Sequence, residues 1–130
     1  MEIRLSSTDG IPVYRQIMNQ VKYMIASGRL RPGQELPPIR ALAERLVINP
    51  NTVVRAYTEL QHEGVVESRH GSGTYVLETV SRSPGKAAAQ ALAPKVDSLL
   101  ADAAHLNLKL EEVVELVRER HGLLNQQSNV

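Results

Sequence analysis

The sequence predicts a mainly α fold with a small β-hairpin: a winged helix-turn-helix followed by a short helical dimerisation tail. Three observations predict it. Apolar residues recur at helical spacing in three runs before Gly64. Two β-prone runs around His70-Gly71-Ser72-Gly73 follow at once. Beyond a polar stretch with Ser, Pro and Gly, helical spacing returns in a segment rich in Ala and Leu.

Asp9-Gly10 is a turn signal, and Pro12 stands near the start of a first helix whose apolar face is Val13, Ile17, Val21, Met24 and Ile25. Gly28 ends it. The next residues, RLRPGQELPP, hold enough Pro and Gly to forbid helix. Pro38 can begin a short second helix, with Ile39, Leu42, Ala43 and Leu46 turned inward and Arg40, Glu44 and Arg45 outward. Val47-Ile48-Asn49 is the turn to a third helix, NPNTVVRAY, for which Asn49 is a good N-cap and Pro50 a good first residue. Val53, Tyr57 and Leu60 form its buried stripe; Asn51, Thr52, Val54, Arg55 and Thr58 fall on the other side. Amide, hydroxyl, methyl and guanidinium groups can pair with base edges and phosphate oxygens in a DNA major groove. A helix that met only water would more often carry Glu and Lys there. By itself, a merely solvated face explains the stretch about equally well. Val54 has two readings, packing against the second helix, slightly favoured, or contact with a thymine methyl.

Gly64 closes the third helix. Val65 to Arg69 and Thr74 to Leu77 are then extended, joined through His70-Gly71-Ser72-Gly73, a hairpin by turn chemistry. Residues 78–85 are polar and read as a hinge. In KAAAQALAPKVDSLLADAAHL, Ala favours helix but Pro94 is expected to kink or break it into two pieces. Val96, Leu99, Leu100 and Ala103 make one stripe, and after a turn at Leu106 to Lys109 a second is made by Leu110, Val113, Val114 and Val117. Two such short stripes cannot enclose a core, so they are expected to pack on each other and on the same pair in a second chain; docking on the first domain is the rival. The Gln/Ser/Asn tail after Leu124 is expected to fray. The division is therefore 11–79 for a DNA-binding domain and 80–130 for a dimerisation region.

Composition limits the function classes. The 130 residues are 42% apolar, enough for a modest core, with a net charge of only +1. Charge distribution must carry any case for nucleic acid: residues 1–76 hold nine Lys/Arg against seven Asp/Glu, and residues 77–130 six against seven. There is no Cys, which removes disulfides, thiolate nucleophiles and Cys-based zinc sites. The N-terminus lacks an apolar signal core and no run reaches the roughly 18 apolar residues of a spanning helix, so a soluble cytoplasmic protein is expected, without a membrane partner. His62, His70, His105 and His121 show no metal-ligand spacing. No nucleophile with a neighbouring base and no phosphate-cradling glycine loop can be picked out, so neither enzyme activity, nor a metal, nor a cofactor is expected.

Several segments together resemble the GntR family of bacterial transcription regulators. They are Ile11 to Ile17 (IPVYRQI), Gly28 to Gly33 (GRLRPG), Leu36 to Ala43 (LPPIRALA), NPNTVVRAY, Glu63-Gly64, and His70 to Val76 (HGSGTYV). They stand in the family's order and spacing over about residues 11–79, and the NPNT helix start with a tail of some fifty residues looks like the YtrA subfamily. The resemblance implies a homodimer on a palindromic double-stranded DNA operator, the third helix in the major groove and the hairpin tip at the minor groove. By family position, Arg40, Asn51, Thr52 and Arg55 would contact DNA, as would Arg69, His70 and Gly71 at the wing. Where many members have Arg, this chain has Pro50, and Asn49 or Asn51 would take that role. Pro38 replaces a frequent Ser cap, and Lys109 stands where a Ser cap is common, so a loose start is expected for the last helix. Ser72 and Gly73 complete a tip whose small residues allow close approach to phosphates.

Tyr14, beside the first apolar face, is expected to be half core, with its hydroxyl a candidate phosphate contact. The leading expectation is a sequence-specific DNA-binding regulator, in the simplest form a repressor. The alternative is a winged-helix protein-interaction module without sequence-specific DNA binding. A small-molecule effector of unknown identity, if one exists, would sit at the dimer seam or between tail and DNA-binding domain, since the tail cannot enclose a pocket of several hundred cubic ångströms.

Overall fold

The computed structural model describes residues 1–8, 10–77 and 85–128, with side chains up to residue 77 and over 88–124. The chain divides into two units, Met1–Val80 and Ser81–Val130. The expected hinge lies outside the described residues except for Gly85.

The first unit holds helices α1 (Val13–Ala26), α2 (Ile39–Leu46) and α3 (Pro50–His62), then strands β1 (Val66–Arg69) and β2 (Gly73–Val76). α1 starts after Pro12 and α2 after Pro38, and neither has a side-chain cap, because proline offers no oxygen there. α3 is capped by Asn49, whose side chain accepts the Asn51 N–H at 2.8 Å. α1 and α2 both pack on α3. The inward face of α1 is turned slightly from the expected one: Gln16, Ile17, Met18, Val21 and Met24 are buried, while Val13 and Ile25 are half-buried. On α3, Ala56 joins Val53, Tyr57 and Leu60 in the core.

α2 ends in a six-to-one bond from the Ile48 N–H to the Ala43 carbonyl at 3.0 Å, with Val47 in the left-handed region at φ 55°. Gly64 at φ 74° plays the same part after α3, where the Val65 N–H reaches the Leu60 carbonyl. The strands pair antiparallel with Val66 opposite Val76 and Arg69 opposite Gly73, so Gly73 belongs to β2 rather than to the turn. The segment read as Pro/Gly punctuation does more than connect. Gly33 and Leu36 donate to the carbonyls of Val76 and Thr74, and the Val76 N–H returns to Gln34, so residues 34–36 cover the outer edge of the hairpin.

Residues 1–8 also belong to this unit. Gln16 on α1 accepts the Ser6 N–H and donates to the carbonyls of Ser6 and Ile11, while Gln20, one turn on, exchanges a bond pair with Arg4. These glutamines do for an extended segment what a neighbouring strand would do, and Ile3 is buried in the core beside them.

In the second unit, α4 (Gly85–His105) runs through Pro94 unbroken, correcting the expectation of two pieces. Proline removes one N–H from the ladder of a 21-residue helix, and the Ala- and Leu-rich turns on both sides sustain the rest. α5 (Leu110–Ser128) does not start loosely: Glu112 reaches back to accept the Lys109 N–H at 3.1 Å, half of a capping box. The tail expected to fray after Leu124 is helical to Ser128. Ala103 and Val113 are buried where the helices meet, whereas Val96, Leu99, Leu100, Leu110, Val114 and Val117 are exposed in the single chain.

Candidate nucleic-acid interface

The front of α3 is an uncompensated positive helix end. Neither α2 nor α3 carries an acidic residue in its first turn, whereas α5 has Glu111 and Glu112 there. A polyanion is favoured at such an end and a carboxylate would oppose it. Asn51, Arg55 and Thr58 are exposed along α3, and Thr52 is half-buried. Val54 is 41% exposed, so part of its surface stays accessible beside them. The Asn49 oxygen is occupied as the cap, so only its amide NH2 remains to donate.

Arg40 is exposed on the first turn of α2. The two motif helices are tied by the Tyr57 hydroxyl, which donates to the Pro37 carbonyl at 2.8 Å. Burial pushes that phenol well above its ordinary value, with Arg45 pulling the other way, so it stays a neutral donor. Arg55 is not simply solvated: its guanidinium carbon lies 3.9 Å from the centroid of the Tyr14 ring on α1. Arg15 approaches the same ring at 5.7 Å. Tyr14 is half-buried, as expected, but its ring rather than its hydroxyl is the engaged group.

At the wing, Arg69, His70, Gly71 and Ser72 are all exposed. Arg69 lies over the Tyr75 ring at 4.1 Å and pairs with Glu67 at 3.2 Å. Ser72 Oγ is 2.6 Å from the Tyr75 hydroxyl, and the Ser72 N–H closes the turn onto the Arg69 carbonyl. Gly71 at φ 73° and Gly73 at φ 135° hold conformations an L side chain resists; at Gly73 a Cβ would also stand 3.2 Å from Glu35 Oε2. Sequence reasoning missed the aromatic supports. Tyr75 is set opposite Glu67 by strand register, and alternation along β2 was the available signal.

Among the described residues, no group of three or more His, Asp or Glu could hold a metal ion, and no helix is long and apolar enough to cross a membrane.

Residues 13–76 match the family described as bacterial regulatory proteins, gntR family. HTH-type transcriptional repressor YtrA of Bacillus subtilis (strain 168) is 33% identical over 117 residues, 90% of each chain. The chain belongs to the GntR family. Within the GntR family it is a transcriptional regulator by kind, and its relatives are regulators rather than enzymes. A solved structure described as a transcriptional antiterminator from Listeria monocytogenes EGD-e superposes with a TM-score of 0.78 at 28% identity, covering 95% of this chain and 92% of that one. The DNA-binding domain of AraR, solved in complex with operator ORR3, superposes at a TM-score of 0.50 and 26% identity over 58% of this chain and 92% of its own. The GntR-type winged helix seen here is thus the fold of a domain crystallised on its operator.

Proposed function

We propose that this regulator is a repressor that binds a palindromic operator as a homodimer, with residues 11–79 on DNA and residues 80–130 joining the two copies. The observation that carries the reading is the exposed front of α3. Asn51, Val54 and Arg55 stand there beside a helix end free of carboxylates, and Arg55 makes no hydrogen bond or ion pair among the described residues. Its N–H groups remain for a guanine edge or a phosphate. Arg40, Asn49 and Thr52 join this surface, and Arg69, His70, Gly71, Ser72 and Gly73 form the wing contact.

The exposed apolar side chains of α4 and α5 support pairing, since Val96, Leu99, Leu100, Val114 and Val117 gain burial only against another surface. Paired domains would read half-sites separated by about ten base pairs or a small multiple of that. Footprinting on genomic fragments, followed by salt titration of the best site, tests the whole reading. A protected inverted repeat and a dimer by sedimentation are expected. Equal, salt-labile binding to every duplex would instead favour a protein-interaction module. Arg55→Ala is expected to cost about 1–3 kcal/mol and to relax preference at one base position if Arg55 reads a base.

A further inference from the structure

We propose that Tyr14, on α1 and outside the helix-turn-helix pair, is a positioning residue for Arg55, so that the first helix sets how the recognition helix reads DNA. This rests on the operator-binding reading above. An arginine on an exposed helix face samples many rotamers, and a DNA contact must immobilise one of them at a cost in side-chain entropy. Here the guanidinium carbon of Arg55 is already 3.9 Å from the Tyr14 centroid. The ring is fixed in turn, because Tyr14 is half-buried on a helix that packs along α3.

The chemistry of the contact suits a waiting ligand. A ring face attracts the cation without consuming a single N–H donor, unlike a carboxylate, which would both neutralise the charge and occupy the fork. Among the described residues Arg55 has no carboxylate partner, while Arg69 at the wing has Glu67. Arg15, 5.7 Å from the same ring, adds a second positive charge to the cluster. Tyr14 therefore holds Arg55 in place and leaves its donor edge for the nucleic acid. The aromatic face does this work, and the hydroxyl is dispensable.

The test compares Tyr14→Leu with Tyr14→Phe in the full chain. In the free protein, NMR signals of the Arg55 side chain are expected to carry a ring-current shift that Tyr14→Phe keeps and Tyr14→Leu abolishes. On the footprinted operator, Tyr14→Leu is expected to weaken binding roughly two- to thirty-fold, the range of a cation–π contact, while Tyr14→Phe stays near wild type. In an Arg55→Ala background, Tyr14→Leu is expected to have little further effect, which separates positioning from a general loss of fold. Arg55 signals that ignore the residue at position 14, or additive losses in the double variant, would overturn the inference. Wild-type protein that binds all duplexes alike while keeping the Arg55 shift would instead overturn the operator reading and, with it, the role of Tyr14 in DNA recognition.

Discussion

The Tyr57 hydroxyl on α3 donates a 2.8 Å hydrogen bond to the carbonyl of Pro37, the residue that leads into α2. Tyr57 is 5% exposed and Pro37 is half-buried, so the bond is partly shielded from water. Tyr57→Phe keeps the ring in the core and leaves the Pro37 carbonyl without its donor. A loss of about 1–3 kcal/mol is expected, read as a lower urea midpoint with an unchanged slope. An unaltered midpoint would mean that water satisfies the carbonyl.

The same phenol gives a pH dependence. Burial raises its folded-state value above the ordinary 10.0. In the unfolded chain it ionises near that ordinary value, so above about pH 10 the unfolded state binds fewer protons than the folded one. The contribution is fully present below about pH 10 and is lost as pH rises toward the folded value. Unfolding free energy measured along an alkaline series is expected to fall more steeply for the natural protein than for Tyr57→Phe. Parallel curves would remove the assignment to Tyr57.

Val47 offers a gain. It is β-branched, 88% exposed and held at φ 55°, where a side chain with a Cβ costs about 1–2 kcal/mol. Asn tolerates this conformation, and no packing is given up at so open a position. Val47→Asn is expected to stabilise by about 1 kcal/mol in thermal or urea unfolding.

Asn49 has one role that is independent of DNA, and charge separates the two. Asn49→Ala is expected to cost about 1 kcal/mol by releasing the Asn51 N–H. Asn49→Asp keeps a capping oxygen and adds a favourable charge at the helix front, so stability is held or raised by about 0.3–1 kcal/mol. The same negative charge faces the proposed phosphate track. Paired unfolding and DNA-binding measurements are expected to show a firm fold with weakened binding; unimpaired binding would move the DNA surface away from Asn49.

Gln16 is 7% exposed with three hydrogen bonds to the N-terminal segment. Gln16→Ala strands one donor and two acceptors, and about 1–3 kcal/mol is expected to be lost. Hydrogen exchange is the sharper measure: protection at the Ser6 amide is expected to vanish before that of α3.

The helices and the hairpin were legible because their signals are local. Spacing placed the core faces, Asn49-Pro50 fixed the start of α3, and the glycines around Ser72 announced the turn. What escaped is carried by backbone pairing or by partners distant in sequence. Residues 34–36 join β2 through main-chain groups, which no side-chain pattern reports. Gln16 is a polar residue beside the α1 stripe, and nothing in its type signals the three bonds it makes. At the candidate interface, spacing indicated that Arg55 faces outward, but its support by Tyr14 exists only once α1 and α3 are packed. Pro94 was misread for the opposite reason: a strong local rule yielded to the helix on either side of it.

The grip of Gln16 and Gln20 on the first residues changes where this regulator can be cut. The stretch that matches the family description is 13–76, yet an excised fragment starting at 13 would lose Ile3, leave a socket in the core and turn two glutamines toward bulk solvent. The matched stretch and the unit that packs as one body thus have different borders in this chain, and dissection of the first unit has to respect the second.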